Sequence, residues 1–258
     1  MILAIDVGNT EMTLGVFEGE ALRAHWRTVT EASRTPDELG LLLRALLHAV
    51  PGESRPVRAV VIGSVVPAVT GALTEASERW LDVRALLIHP LSQLPIRLQV
   101  DEPMTVGADR LINTLAASRL YRCDTIVVDF GTATTYDCIT ADGVFLGGII
   151  APGIRTSADT LIRRTSKLPA TELAIPAKAI GTRTEDCIRA GVMFGAADAT
   201  DGLVRRIKRE WPTATTPRVI ATGGLAGTIA PLSEEIDEVD TFLTLKGLRL
   251  AHTLLAGD

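Results

Sequence analysis

The sequence predicts an α/β protein built from two similar lobes with a cleft between them. Strand-like runs alternate with helical patterns along the chain, and a strand–turn–strand beginning occurs twice. Asp6 and Asp129 each end an apolar strand-like run and precede a glycine by two positions, and 123 positions separate them in a chain of 258 residues. Because this separation exceeds the periods of solenoid repeats, we predict two duplicated domains, 1–117 and 118–258.

In the first lobe, three strand-like runs lead into alternating helices and buried strands. Thr35 is a suitable N-cap, Pro36 fits the first helical position, and the leucines that follow recur at helical spacing. Helices are also predicted at about Ala68–Trp80 and over 107–120. The predicted strands are Ile2–Asp6, Met12–Phe17, Ala21–Thr28, Val57–Ile62 and Val83–Ile88.

The second lobe repeats this beginning. Its first three predicted strands are Thr125–Asp129, Thr134–Thr140 and Val144–Ile150, and the stretch Arg218–Gly224 contributes a strand that ends in two glycines. The predicted helices are Ser157–Arg164, Glu185–Glu210 and Leu245–Leu255.

Composition excludes some classes of protein. A net charge of −5 argues against a nucleic-acid-binding protein, which usually has a basic surface. No stretch reaches the roughly 18 apolar residues that span a bilayer, and the N-terminus lacks the basic segment of a signal peptide. Three scattered cysteines favour buried free thiols in a reducing compartment, so a cytoplasmic protein is predicted.

The two acid–glycine turns indicate a phosphate-bearing ligand. Gly8 and Gly131 allow the main chain to approach oxygen atoms closely, and the N–H groups and hydroxyls around them can hold phosphates. An acid beside phosphate requires a cation between them. The alternative is a hairpin whose aspartate caps its own turn. Two copies favour the phosphate site, and the absence of a Gly-Lys pair excludes a P-loop.

Four passages together resemble the type III pantothenate kinases. They are DVGNT (6–10), VGADRLINTLAA (106–117), DFGTATTYD (129–137) with LGGIIAPGI (146–154), and TGGLA (222–226) with LTLKGLRL (243–250). The two D-x-G motifs and the late T-G-G are shared with the wider actin, Hsp70 and sugar-kinase superfamily, whereas GADR is the most discriminating passage. The resemblance implies two duplicated ribonuclease-H-like (actin-like ATPase) lobes with a central cleft.

The resemblance also implies an activity and its cofactors. Members of this family phosphorylate the 4′-hydroxyl of pantothenate with ATP, the first step towards coenzyme A. Magnesium is expected with ATP, with Asp6 near it, and Asp129 matches the site of a monovalent cation, potassium or ammonium. The positions that match ATP contacts are Asp6, Gly8, Asn9 and Thr10 in the first loop, Gly131 and Thr132 in the second, and Gly223 and Gly224 against the adenosine.

The same resemblance places the substrate at the GADR segment. Gly107, Ala108, Asp109 and Arg110 match the pantothenate-binding residues, with Asp109 as the proposed base. Arg110 suits the pantothenate carboxylate because its guanidinium is a planar fork. Thr184 matches a substrate contact that the family places near a dimer interface, so a homodimer is implied.

The ionisation of Asp109 can be predicted from its surroundings. A helix N-terminus and the adjacent Arg110 both favour a carboxylate, so we expect its pKa to be lowered. The alternative role for Asp109 is a plain N-cap, worth about 1 kcal/mol to the helix.

Two other functional classes remain open on the sequence. One is another small-molecule kinase or a phosphatase of the same superfamily. The other is a non-catalytic accessory regulator of transcription, as some relatives were described. A binding protein would be free to lose Asp109 or Asp129, and both are present, which favours catalysis.

Overall fold

A computed structural model describes residues 1–52 and 56–257 of the chain. The strands are β1 (Ile2–Val7), β2 (Glu11–Glu18), β3 (Ala21–Val29), β4 (Ala59–Ser64), β5 (Ala85–Ile88), β6 (Arg97–Leu98), β7 (Thr125–Phe130), β8 (Ala133–Ile139), β9 (Val144–Pro152), β10 (Arg218–Thr222) and β11 (Glu238–Val239). The helices are α1 (Pro36–His48), α2 (Pro67–Leu81), α3 (Ala108–Leu120), α4 (Ile154–Arg163), α5 (Thr184–Glu210), α6 (Ala226–Ile229) and α7 (Leu243–Ala256), with 3-10 turns at Pro103–Thr105 and Ala230–Leu232. The chain forms two compact units, Met1–Ala116 with Leu243–Asp258, and Ala117–Phe242.

The first unit contains a sheet in the order β3-β2-β1-β4-β5. Strands β1 to β3 form an antiparallel meander, and β4 and β5 continue the sheet in parallel with β1. Apolar residues on one face of the sheet pack against α1 and α2, with Leu3 and Ile5 meeting Leu39 and Leu73. Strands β1 and β4 are buried along most of their length, which suits their β-branched residues.

The second unit repeats the same strand order, β9-β8-β7-β10-β11. Strands β7 to β9 form the meander, and β10 and β11 run parallel to β7. Its core lies between the sheet and the long helix α5, whose Met193 and Val204 pack with Ile126 and Val128. The predicted repeat is therefore confirmed at the level of topology.

Helix α1 begins as the sequence predicts. The Thr35 hydroxyl accepts the N–H of Glu38 at 3.3 Å, and the Glu38 carboxylate accepts the N–H of Thr35 at 2.8 Å. Pro36 occupies the first turn. This capping box satisfies N–H groups that the helix itself leaves without partners.

The C-terminal helix corrects the predicted domain boundaries. We expected 118–258 to form the second lobe, but α7 packs against β1, β2 and β4 and belongs to the first unit. A Cβ added to Gly15 would lie 2.8 Å from Leu245, and one added to Gly63 would lie 3.2 Å from Leu248. The sheet face opposite α1 and α2 is apolar, and α7 covers it.

Two expectations from composition can be compared with the structure. Cys138 is buried and Cys123 is half-buried, but Cys187 is exposed, so the prediction of three buried thiols is wrong for Cys187. Within residues 1–52 and 56–257, no helix has both the length and the apolar character needed to cross a membrane.

Asp124 joins three separate segments of the second unit. Its carboxylate accepts the indole N–H of Trp211 at 2.9 Å, the main-chain N–H of Ala141 at 2.9 Å, and the hydroxyls of Thr213 and Thr215. Burial raises the pKa of Asp124, but the hydrogen bonds from Thr215, Trp211, Ala141 and Thr213 together outweigh burial and leave the pKa below its usual value.

Asp124→Asn is therefore expected to lower the unfolding temperature at neutral pH. A carboxyl group whose pKa is lowered by folding stabilises the protein above its unfolded pKa of about 3.9, and this contribution is lost as the pH falls through the folded value. The difference in unfolding temperature between wild type and variant should shrink below about pH 4. Thermal unfolding from pH 3 to 7, with Asp159→Asn as an exposed control, measures this, and a pH-independent difference would contradict it.

Candidate active site

The first acid–glycine turn lies at the carboxyl end of β1. Asp6 is partly buried near the end of the strand, and Asn9 and Thr10 are exposed in the turn that leads to β2. The N–H of Gly8 donates to the carbonyl of Glu11 at 3.0 Å, and a Cβ on Gly8 would stand only 3.1 Å from that oxygen. The turn is narrow, and its outer side consists of main chain and short side chains.

The GADR segment forms the start of α3. The carbonyl of Gly107 accepts the N–H groups of Arg110 and Leu111, at 3.1 and 3.2 Å, which starts the helix at Ala108. Asp109 therefore lies inside the first turn and is not the N-cap. Its carboxylate accepts the N–H of Arg110 at 2.9 Å.

The ionisation predicted for Asp109 is wrong in direction. Burial raises the pKa of its carboxyl group, and this effect exceeds the lowering by the Arg110 N–H, by the Arg110 charge and by its own main-chain N–H. The sequence indicated the helix terminus and the adjacent arginine but not the burial. A raised pKa makes Asp109 a stronger base than an exposed aspartate.

The first unit brings Asp6 and the GADR segment to the same end of its sheet. Asp6 pairs with Gly63 of the parallel strand β4. A Cβ on Gly63 would overlap Ile112 of α3, which is one helical turn after Asp109, and a Cβ on Gly107 would lie 3.5 Å from Val65. Helix α3 thus packs on the main chain of β4, with its first turn beside the carboxyl ends of β1 and β4.

The second acid–glycine turn lies near the end of β7. Asp129 is partly buried, Gly131 and Thr132 are exposed, and the N–H of Gly131 donates to the carbonyl of Ala133 at 3.1 Å. In the first unit the glycine bond runs from Gly8 to Glu11, three positions along the chain, whereas this bond spans two positions. Both turns are thus closed by a main-chain bond from their glycine, and the second turn is one residue shorter.

The T-G-G turn lies directly against Asp129. Thr222 pairs with Asp129 in parallel register, so Gly223 comes next to the end of β7. Gly223 has a φ of +88°, and a Cβ there would overlap the Asp129 carboxylate and lie 2.7 Å from the Phe130 nitrogen. Only glycine fits both the dihedral angle and the space. Gly224 follows and is exposed.

Residues that the sequence analysis did not single out also shape this turn. A Cβ on Gly153 would overlap the Thr132 carbonyl oxygen and lie 2.7 Å from that of Gly131. The Thr156 hydroxyl donates to the Thr132 carbonyl at 2.8 Å. The sequence signal for this contact is the passage LGGIIAPGI (146–154), whose last glycine is Gly153.

Thr184 is the first residue of α5 and is exposed. Nearby on the same helix, Cys187 and Ile188 line a mainly apolar cavity of about 440 Å³ between α4, α5 and the sheet of the second unit. Tyr136 and Thr200 lie in its wall and share a 3.1 Å hydroxyl contact. The structure thus places Thr184 near an apolar cavity of the second unit.

The part of the chain that the structure describes contains no ready-made cluster of metal-binding side chains. Across residues 1–52 and 56–257, no three His, Cys, Asp or Glu side chains come close enough to hold a metal ion together. Any cation at these turns would share its ligands among one carboxylate, main-chain carbonyls and a bound ligand.

Comparison with known proteins assigns the family. The family model for type III pantothenate kinase matches residues 2–206. The chain belongs to the type III pantothenate kinase family. It is 47% identical to the type III pantothenate kinase of Anaeromyxobacter sp. (strain K) and 44% identical to that of Moorella thermoacetica, in both cases over 252 residues that cover 98% of each chain.

Solved structures show the fold. A Campylobacter jejuni protein of the Baf transcriptional-activator family superposes with a TM-score of 0.61 at 17% identity, covering 99% of this chain and 100% of the other. A glucokinase of the ROK family from Streptomyces griseus superposes with a TM-score of 0.51 at 15% identity, covering 100% and 99%. The predicted fold class, duplicated lobes of the actin-like ATPase and sugar-kinase type, is confirmed.

Proposed function

We propose that this chain transfers the γ-phosphoryl group of ATP to the 4′-hydroxyl of pantothenate, the first step of coenzyme A synthesis. Family membership over nearly the whole chain supports this activity. The structural observation that carries the proposal is the first turn of α3, where Asp109 lies beside the carboxyl ends of β1 and β4. The acid–glycine turn that would bind phosphate lies at the same end of the sheet as this partly buried carboxylate, whose pKa is raised.

The two acid–glycine turns would hold the phosphates of ATP. Main-chain N–H groups in such turns bind anions, and exposed hydroxyls add further donors. Gly223 and Gly224 would lie against the adenosine because their turn adjoins Asp129. The residues assigned to ATP are Asp6, Gly8, Asn9, Thr10, Gly131, Thr132, Gly223 and Gly224.

The GADR segment would bind pantothenate and activate its hydroxyl. Gly107 and Ala108 bring the main chain close to the substrate, and the Arg110 guanidinium suits its carboxylate. Asp109 would orient the 4′-hydroxyl and accept its proton as the phosphoryl group transfers. Because transfer proceeds through a loose transition state, positioning and a late proton transfer suffice.

The residues at the turns fit the expected cations. One Asp129 carboxylate oxygen lies 3.7 Å from the Cβ position of Gly131 and directly beside that of Gly223, so main chain surrounds it on two sides. A carboxylate with main-chain carbonyls suits potassium or ammonium. Asp6, a single carboxylate beside the first turn, suits a magnesium ion that is bound mainly by ATP phosphates. When bound, these cations supply positive charge to the phosphates.

Asp129→Asn is expected to weaken activation by potassium. Loss of the carboxylate charge should raise the half-saturating potassium concentration by about 10- to 100-fold, by analogy with losses around other metal sites. Initial rates measured against potassium, ammonium and sodium chloride test this, with the exposed Asp159→Asn as the matched control. An unchanged potassium dependence in the Asp129 variant would show that the cation binds elsewhere.

We also propose a cytoplasmic homodimer. Ile150 and Ile180 are 66% and 81% exposed in the second unit, and the 440 Å³ cavity beside α5 opens among apolar residues. Apolar surface of this kind is typical of an interface. A second copy of the chain that covered this apolar surface would lie near Thr184, the expected substrate contact at the dimer interface. Sedimentation velocity at micromolar concentration distinguishes a dimer from a monomer.

Coupled ADP release tests the proposed substrate. Pantothenate is compared with a panel of other hydroxy acids and with ATP alone, at saturating potassium and magnesium. The proposal predicts rapid ADP release with pantothenate only. Preference for another hydroxy acid would identify a different small-molecule kinase, release without any acceptor would indicate a phosphatase, and no release would favour an accessory regulator.

A further inference from the structure

A threonine outside the first phosphate turn donates hydrogen bonds to the main chain of that turn. Thr30 directly follows β3 and is partly buried. Its hydroxyl donates to the Gly8 carbonyl at 2.8 Å, and its main-chain N–H donates to the Thr10 carbonyl at 2.9 Å. Two carbonyls of a three-residue turn are therefore fixed by one residue that lies 20 or more positions away in sequence.

The second phosphate turn also accepts a hydrogen bond from a threonine hydroxyl, at the residue that follows its glycine. Thr156, in the first turn of α4, donates its hydroxyl to the Thr132 carbonyl at 2.8 Å. Both threonines follow the third strand of their meander, Thr30 after β3 and Thr156 after β9. The arrangement thus occurs once in each repeat, in elements of different kinds.

A hydrogen bond that fixes the direction of a carbonyl also fixes the direction of the N–H in the same peptide group. The peptide group is planar and trans, so the N–H of Asn9 and the carbonyl of Gly8 point in opposite directions. With that carbonyl held by Thr30, the Asn9 N–H is directed to the opposite side of the turn. Anion sites bind tightly when their N–H donors are oriented before the ligand arrives.

We propose that Thr30 and Thr156 are positioning residues that preorganise the two ATP-phosphate turns, each by donating its hydroxyl to a main-chain carbonyl of the turn. This inference rests on the assignment of both turns to ATP under the proposed function. Neither threonine needs to touch ATP. The effect of removing either hydroxyl should therefore appear in ATP binding, with pantothenate binding unaffected.

The test compares valine, which keeps the shape of threonine, with serine, which keeps the hydroxyl. Thr30→Val and Thr156→Val are each expected to weaken ATP affinity and raise the KM for ATP by about three- to tenfold, the effect of one neutral hydrogen bond. The KM for pantothenate should stay within about twofold of wild type. Thr30→Ser and Thr156→Ser should keep an ATP affinity close to that of wild type.

A matched control is available just after α4. The Thr165 hydroxyl donates to the Leu161 carbonyl at 2.9 Å, so Thr165→Val removes the same kind of bond at an exposed site away from both turns. ATP affinity in this variant should equal that of wild type. If a valine variant fails to fold in a thermal scan, the alanine variant at the same position carries the comparison.

ATP affinity by calorimetry separates this proposal from the proposed function, because it needs no pantothenate. Wild-type ATP affinity in Thr30→Val and Thr156→Val would overturn the positioning role whatever the substrate is. A wild-type protein that binds ATP but does not phosphorylate pantothenate would overturn the proposed function and leave the positioning role supported by its own variants. A wild-type protein that binds no ATP would overturn both.

Discussion

Asp109→Asn is expected to lower the rate of pantothenate phosphorylation by about 10²- to 10⁴-fold, the usual contribution of a positioned acid or base. The fold should be as stable as wild type or more stable. Asparagine keeps an oxygen that can accept the Arg110 N–H but cannot accept a proton from the substrate hydroxyl. Turnover and thermal unfolding of the same sample measure both expectations.

The stability expectation follows from the direction of the pKa shift. Burial raises the pKa of Asp109 in the folded state. The protonated carboxyl group therefore stabilises the fold fully below the unfolded pKa. This contribution is lost as the pH rises through the folded pKa. Once ionised, the desolvated carboxylate destabilises the protein, and the neutral asparagine removes that effect. Wild-type activity should fall as pH decreases through the same raised pKa.

Asp82→Asn is the matched control for Asp109. Asp82 is exposed at the end of α2 with a φ of 55°, a conformation that asparagine tolerates well. Its activity and its unfolding temperature should match those of wild type. Undiminished pantothenate phosphorylation in Asp109→Asn would remove Asp109 from the proton transfer and leave it a structural role in α3.

Gly223→Ala is expected to have the second-largest effect, on ATP binding and stability together. A φ of +88° is strained for alanine, and the new Cβ would overlap the Asp129 carboxylate. Backbone strain of this kind is worth about 1–3 kcal/mol, before any cost of moving Asp129. We expect an unfolding temperature lower by several degrees and ATP affinity weakened by at least about tenfold.

Gly227→Ala provides the control within the same segment. Gly227 lies in α6, four residues after Gly223, and a Cβ there would meet no atom within 4 Å. Alanine is the better helix former, so this variant should be as stable as wild type or slightly more so, with unchanged ATP affinity. Equal effects from the two substitutions would show that the T-G-G turn has no special relation to Asp129.

The repeat and its two acid–glycine turns could be predicted because their signals are local. Each meander is a set of short apolar runs separated by turn residues, and strand periodicity together with turn composition reveals it without tertiary information. The motifs around Asp6 and Asp129 recur at the same place in each repeat. Thr35 and Pro36 marked the start of α1 because capping depends on neighbouring residues.

Features that depend on distant residues could not be predicted. Nothing in the α7 sequence indicates that it covers the sheet of the first unit, because an apolar helix face fits either lobe. The pKa direction of Asp109 depends on burial, which the sequence does not report. The bonds of Thr30 and Thr156 to Gly8 and Thr132 join residues 22 and 24 positions apart.

The most direct test of the account is identification of the reaction product. The purified protein is incubated with ATP, magnesium, potassium and pantothenate, and the products are analysed by phosphorus NMR and mass spectrometry. We expect one 4′-phosphopantothenate for each ADP, with formation dependent on Asp109. ADP without phosphopantothenate, or phosphate on a different group of pantothenate, would contradict it.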